Sequence, residues 1–246
     1  MPDVLTHHCI VPDWPVAGNV RALSTTRAGG VSSGSYASLN LGEKVGDDPA
    51  AVAENRCRLR SLLPAEPLWL RQVHGAKALD AAAWQAGAEA DAIVTRERAA
   101  VLAIQTADCM PVLLADIDGT VIGAAHAGWR GLAGGVIDNT LAAMQLPAER
   151  IAAWLGPAIG PQSFEIGGEV RAAFVARDAR AATHFAPHAD GKWLADLYGL
   201  ARLRLTSLGV RDIRGGGWCT MRDAERFFSH RRDQPTGRMA TLLWLV

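Results

Sequence analysis

Neither sign of charge prevails in this chain: 25 lysines and arginines are matched by 25 aspartates and glutamates, for a formal net charge of zero. Binding to nucleic acid or to an anionic membrane surface calls for a basic stripe, and none is present, so no nucleic acid and no membrane are expected among the partners. Lysine is scarce, limited to Lys44, Lys77 and Lys192. Arginine carries the positive charge, and compositional bias explains this as readily as anion recognition. Long apolar runs are missing as well. No uncharged stretch approaches the roughly 18 residues that span a bilayer, and Met1-Pro2-Asp3-Val4 lacks the basic and then apolar pattern of a secretory signal. The expected location is cytoplasmic. Cys9, Cys57, Cys109 and Cys219 lie far apart with no paired spacing, which argues against a disulfide framework and leaves the thiols free for other chemistry. Repeats, low-complexity tracts and long polar linkers are also lacking. The 246 residues can bury a core, and residues 1–246 are expected to form a single domain.

What is present is a succession of short apolar runs broken by Gly, Pro and polar residues. Val20 to Thr26 reads as a strand that enters Arg27-Ala28-Gly29-Gly30-Val31-Ser32-Ser33-Gly34, a loop that bares backbone N–H groups. Asp48 as N-cap and Pro49 at the first helical position open a helix, with Val52, Arg56, Leu59, Leu62 and Leu63 at helical spacing and Pro64 closing it. Strands are expected at Trp69 to Val73, Ala92 to Val94, Val101 to Gln105 and Pro111 to Ala115. A hairpin turn at Asp116-Ile117-Asp118-Gly119 leads to another from Thr120 to Ala125. Gly128-Trp129-Arg130-Gly131 then joins that strand to a helix from about Leu132 to Met144, whose first N–H groups suit an anion. Further strands at Ile151 to Leu155, near Val210 to Arg214 and at Met239 to Val246 alternate with helices around Glu169 to Ala176 and from Asp196 to Ser207. The pattern is that of a mixed α/β domain.

Three residues stand out: His74 in Gln72-Val73-His74-Gly75, Cys109 in Thr106-Ala107-Asp108-Cys109-Met110-Pro111, and His126 in Ala124-Ala125-His126-Ala127-Gly128-Trp129-Arg130. Each sits where an apolar run gives way to Gly, Pro or small residues, where a side chain can leave a sheet and face a cleft. Two imidazoles and one thiolate make three nitrogen and sulfur ligands, the number a catalytic zinc keeps while its fourth position stays open. Each residue also has a plain alternative. Cys109 can be a small buried hydrophobe, His126 a satisfied histidine at a strand end, and His74 an exposed residue beside Gly75. No short local metal motif joins them. His7, His8, His184, His188 and His230 lie in polar or irregular surroundings and read mostly as surface.

Several blocks resemble the signature blocks of the laccase-domain family, formerly called polyphenol oxidase and now described as zinc-dependent purine nucleoside phosphorylase. They are Thr25-Thr26-Arg27-Ala28-Gly29-Gly30-Val31-Ser32, Ser38-Leu39-Asn40-Leu41-Gly42, the three blocks quoted above, Trp154-Leu155-Gly156-Pro157-Ala158-Ile159-Gly160, Cys219-Thr220, Phe228-Ser229-His230-Arg231-Arg232-Asp233 and Thr236-Gly237-Arg238. The likeness runs in order along nearly the whole chain. It implies a single layered domain with a mixed central sheet flanked by helices, and a zinc ion on His74, Cys109 and His126. It also implies phosphorolysis of adenosine, inosine and methylthioadenosine, together with hydrolytic deamination of adenosine. One departure is His230, where the family often has tyrosine; if that position lines the site, substrate preference differs.

From the chemistry, the expected partners are a purine nucleoside and phosphate. Arg27 with its Gly loop and Arg130 at a helix start are candidates to hold the anion, each with an ordinary ion pair as the equal alternative. Asp108 is the carboxylate nearest the ligands and a candidate proton shuttle, or else a residue that orients a ligand or caps a turn. Asn40 can hydrogen-bond ribose or base, or simply form a turn. Copper is a weaker cofactor than zinc here. Met110 follows Cys109 directly and so points to the opposite face of an extended chain, poorly placed as an axial ligand. Seven histidines also fall short of a trinuclear cluster plus a blue site. Two other function classes keep the constellation: a cysteine hydrolase or amidase using Cys109 with His126 or His74, acting on cell-wall precursors, and a zinc-stabilised binding module without turnover.

Overall fold

Two mixed sheets lie face to face in the computed structural model, which describes residues 4–246. The first has the order Cys9–Ile10, Val20–Thr25, Met239–Leu245, Val101–Thr106, Pro67–Trp69, and the second Asp212–Gly215, Ile151–Leu155, Met110–Asp116, Ile122–Ala127, Ala92–Thr95, Ala78–Asp80. A small third sheet of Glu165–Ile166, Trp193–Ala195 and Phe185–Pro187 stands apart. Strand alternation sorts the side chains between layers. Leu102 and Ile104 from one sheet meet Leu113, Ala115, Ile122 and Ala124 from the other, joined by Leu243 and Leu245. The opposite face of the second sheet, with Val94, Met110, Val112, Leu114 and Ala125, packs on the helices Val136–Met144, Gly168–Arg177 and Leu197–Ser207. On the outer face of the first sheet, Val101, Ala103, Leu242 and Trp244 cover Leu59 of the helix Pro49–Arg60 and the buried Leu39 and Leu41. The layered α/β expectation therefore holds, with two facing sheets as its central layer. No helix among the described residues is long and apolar enough to cross a membrane.

Local chemistry sets the boundaries. Asp48 caps its helix by accepting from the Ala50 N–H at 3.0 Å, with Pro49 at the first position, as its sequence implies. The helix expected from Leu132 to Met144 is two, Trp129–Gly134 and Val136–Met144, because Gly135 adopts a left-handed φ of 94°. The strand expected at Trp69 to Val73 is Pro67–Trp69, and the chain then leaves the sheet to form a loop. His126 lies inside the strand Ile122–Ala127 rather than beyond its end.

The inter-sheet layer should dominate stability. Leu113→Ala, at a position with no exposure, is expected to cost about 2–5 kcal/mol, against about 1 kcal/mol for Asp48→Ala at the exposed cap. Chemical denaturation of both variants checks that order.

Candidate metal centre and active site

Three segments far apart in sequence deliver His74, Cys109 and His126 to one place, their ligand atoms all within 4.8 Å of one another. The corner between Val101–Thr106 and Met110–Asp116 carries the chain from one sheet to the other, and Cys109 sits at its exit. Asp108 makes that corner with a φ of 87°, in the left-handed region. Antiparallel register then places Met110 opposite Ala127 and Pro111 opposite His126. Gly128 leaves room for the sulfur, since a Cβ there would stand 2.7 Å from Cys109 Sγ. Met110 is fully buried in the helix-side core, consistent with its expected turn away from Cys109.

His74 arrives by another route. After Trp69, the Gln72 side chain continues the pairing to the first sheet: its amide donates to the Gln105 carbonyl and accepts from the Gln105 N–H, both at 2.8 Å. His74 itself is exposed with a φ of 62°. Its ring meets that of His126 edge-on, centroids 4.8 Å apart.

Beneath the ligands lies Asp91, fully buried and not singled out in the sequence. Its Oδ1 accepts from His126 Nδ1 at 2.8 Å and from the His74 N–H at 2.9 Å, while Oδ2 accepts from the N–H groups of Gly75 at 2.7 Å and Val73 at 3.2 Å. A signal was available: a carboxylate placed directly before the apolar run Ala92-Ile93-Val94 is almost never buried without a partner. Burial pushes the Asp91 carboxyl up, but the hydrogen bonds from His126 and the loop N–H groups outweigh it and hold it below the ordinary carboxylate value. As an ionised carboxylate it accepts the hydrogen bond from His126 Nδ1–H, which leaves Nε2 for a ligand role.

Burial likewise opposes the Cys109 thiolate, yet the His126 and His74 imidazoles lower the thiol to about 6. His126, also penalised by burial, is raised to about 9 by Cys109 and Asp91. The sulfur is therefore poised as a thiolate, the form that ligates metal.

The group opens on a cavity of about 710 Å³, whose walls include Trp69, Trp129, Ile159 and Phe164 and the basic side chains Lys44, Arg71, Arg130, Arg231 and Arg238. Among the residues singled out from sequence, Asp108 and Arg130 line it with the three ligands. Asp108 ties three segments together, its carboxylate accepting from the Thr220 hydroxyl and the Arg231 N–H and its carbonyl from the Ile159 N–H. Arg130 is exposed, rests on the Trp129 ring at 4.5 Å and has no ion pair among the described residues. Arg27 and Asn40 stand away from the cavity wall. The Arg27 guanidinium donates to the carbonyls of Ala37 and Ala224 and covers Phe228. Asn40 is fully buried, accepting from the Gly42 and Arg238 N–H groups and donating to Asp47. His230, the departure noted above, does line the cavity, and Arg231 and Arg238 are wall residues that sequence reasoning did not single out.

These features are those of a layered α/β protein carrying a His, Cys, His group that could hold a metal ion. The family described as "Multi-copper polyphenol oxidoreductase laccase" matches residues 21–246, and the chain belongs to it. It is 52% identical to the Escherichia coli protein named Purine nucleoside phosphorylase YfiH and 50% identical to a Pseudomonas aeruginosa protein also named purine nucleoside phosphorylase, each over 96% of this chain and 98% of the relative. A Neisseria meningitidis crystal structure, identified by the family label DUF152, superposes with a TM-score of 0.93 at 49% identity, covering 97% of this chain and 99% of that one. YlmD from Geobacillus stearothermophilus follows at 0.87 and 32%, over 93% of this chain and 92% of that one.

The thiol shift can be read directly in metal-free protein. A component of the thiolate absorbance should develop as pH rises through about 6 and be missing in Cys109→Ser, whose other three thiols still titrate; a wild-type curve with no component below the ordinary value of about 8.5 would contradict it. The stability signs follow by linkage. The thiol, depressed on folding, stabilises fully above its unfolded pKa and loses this as pH falls through about 6, whereas raised His126 stabilises below its unfolded value and loses this as pH climbs through about 9.

Proposed function

We propose that this protein is a zinc-dependent purine nucleoside phosphorylase acting on adenosine, inosine and methylthioadenosine, with hydrolytic deamination of adenosine at the same centre. The supporting observation is the His74, Cys109 and His126 group on the wall of a substrate-sized cavity, in a chain about half identical to proteins bearing the phosphorylase name. A volume of about 710 Å³ falls within the range of small-molecule sites, roughly 300–1,000 Å³. Two imidazoles and a thiolate suit zinc, and the hydrogen bond from His126 Nδ1–H to Asp91 leaves the Nε2 lone pair to face a metal. When bound, zinc supplies Lewis acidity and a water of lowered pKa.

In phosphorolysis a phosphate oxygen bonds to the anomeric carbon as the bond from that carbon to the purine nitrogen breaks, its electron pair leaving with the base. The chain must hold the anion in line and stabilise charge on the departing purine. Arg130, exposed and without a carboxylate partner among the described residues, is assigned to phosphate. Asp108 is assigned to proton transfer in deamination; a carboxylate has about four acceptor positions, and its two donors leave room for another partner. Arg27 and Asn40 are assigned supporting roles, holding the 37–42 and 224–238 segments that back the cavity. Attack at two different carbons requires two substrate poses. A cytoplasmic setting, where thiols stay reduced, suits a centre that depends on a thiolate.

The family's printed description points instead to copper oxidation. A multicopper oxidase needs a second, imidazole-rich centre, and among the described residues a single group of potential ligands forms. A cysteine hydrolase built on Cys109 is disfavoured by the second imidazole: both His74 and His126 converge on the same sulfur, as a metal site requires.

Inosine with phosphate should yield hypoxanthine and ribose 1-phosphate, and Cys109→Ser should abolish this. Arg130→Ala should raise KM for phosphate roughly tenfold, equivalent to about 1.4 kcal/mol, with a smaller change for inosine. Hypoxanthine release that does not depend on phosphate would overturn the phosphorylase assignment.

A further inference from the structure

Asp91 touches two of the three ligand-bearing segments, and it does so with all three of its acceptor atoms. Oδ1 bridges the ring of His126 and the backbone of His74; Oδ2 gathers the N–H groups of Gly75 and Val73. Its own backbone carbonyl accepts from the His126 N–H at 2.7 Å, and its N–H donates to the Lys77 carbonyl at 3.0 Å. One fully buried carboxylate thus fixes the ring orientation of His126 and the course of the loop that presents His74.

That loop needs such a hold. His74 is exposed and in the left-handed region, with a φ of 62°, a conformation uncommon outside glycine. The nest of three successive N–H groups at Val73, His74 and Gly75 closes on the carboxylate and holds that conformation. Gly75 adds a steric condition, since a Cβ there would lie 3.3 Å from Asp91 Oδ2.

We infer that Asp91 is a positioning residue for the metal centre, one carboxylate that sets two imidazole ligands at once and thereby fixes metal affinity. This rests on the metal site proposed above. Removal of partners that orient metal-bound histidines typically costs 10–100-fold in affinity, and here a single substitution acts on two ligands. Asp91→Asn keeps the shape but turns an acceptor into an N–H₂ group facing N–H donors. Asp91→Glu keeps the charge and moves it by one methylene.

The test is competition of wild type and both variants against a chromophoric chelator for Zn²⁺, together with Co²⁺ spectra that report the thiolate and ligand-field bands. Thermal unfolding is followed with and without metal. A positioning role predicts at least tenfold weaker Zn²⁺ binding in Asp91→Asn, altered Co²⁺ bands, and a smaller metal-induced rise in Tm. It predicts weakened binding in Asp91→Glu as well, because position matters in addition to charge; should Asp91→Asn fail to fold, Asp91→Glu is judged by the same affinity threshold. A purely structural Asp91 would lower the metal-free Tm while leaving affinity, Co²⁺ bands and the metal-induced rise unchanged, and that result overturns the inference. Absence of Zn²⁺ binding by wild type would instead overturn the metal site on which the inference rests.

Discussion

A single antiparallel pairing governs the rest of the site: Pro111 opposite His126 on neighbouring strands of the second sheet. From it follows the nearness of Cys109 to His126, because Cys109 lies two residues before Pro111 and Gly128 leaves the sulfur its space. The same alternation that sends Met110 and Ala127 into the helix-side core turns Cys109 and His126 away from it. The corner at Asp108, by carrying the chain between sheets, sets the centre where the two layers meet. Slippage of this register by one residue would turn His126 into the helix-side core and dissolve the group.

Charge and hydrogen bonding then make the geometry usable. A thiolate on a half-buried cysteine would be costly alone; the two imidazoles offset that cost, and Asp91 in turn stabilises His126. The cavity wall carries a surplus of arginine in a chain whose overall charge is zero. Arg130 and Arg238 face it without a carboxylate partner among the described residues, while burial lowers the Arg238 pKa against the opposing pull of Cys109 and Asp108. Such unpaired guanidinium groups are suited to receive an anion.

Much of the fold was legible because its signals are local. Asp48-Pro49 announces a helix start through one carboxylate and one missing N–H, and the strands Val101–Thr106 and Met110–Asp116 are apolar enough to stand out. The break at Gly135 was hidden because Val136, Ile137 and Leu141 continue an apolar pattern through it. That the centre is two facing sheets was equally hidden, since pairing partners such as Met239–Leu245 and Val20–Thr25 lie at opposite ends of the chain. At the site, His74, Cys109 and His126 stood out as reactive side chains at strand ends. Asp91 passed unnoticed because its importance comes from four donors brought from elsewhere. Arg27 and Asn40 show the converse: polar residues in conspicuous Gly- and Leu-rich blocks whose groups are spent on holding loops.

The most direct measurement on the proposed centre is X-ray absorption at the zinc edge of the metal-loaded protein. The expected first shell is one sulfur at about 2.3 Å and two imidazole nitrogens at about 2.0–2.1 Å, with a further light atom in the fourth position; the sulfur should disappear in Cys109→Ser. A shell of nitrogen and oxygen alone in the wild-type protein would contradict the assignment of Cys109, and with it the reading of this cavity as a zinc-dependent active site.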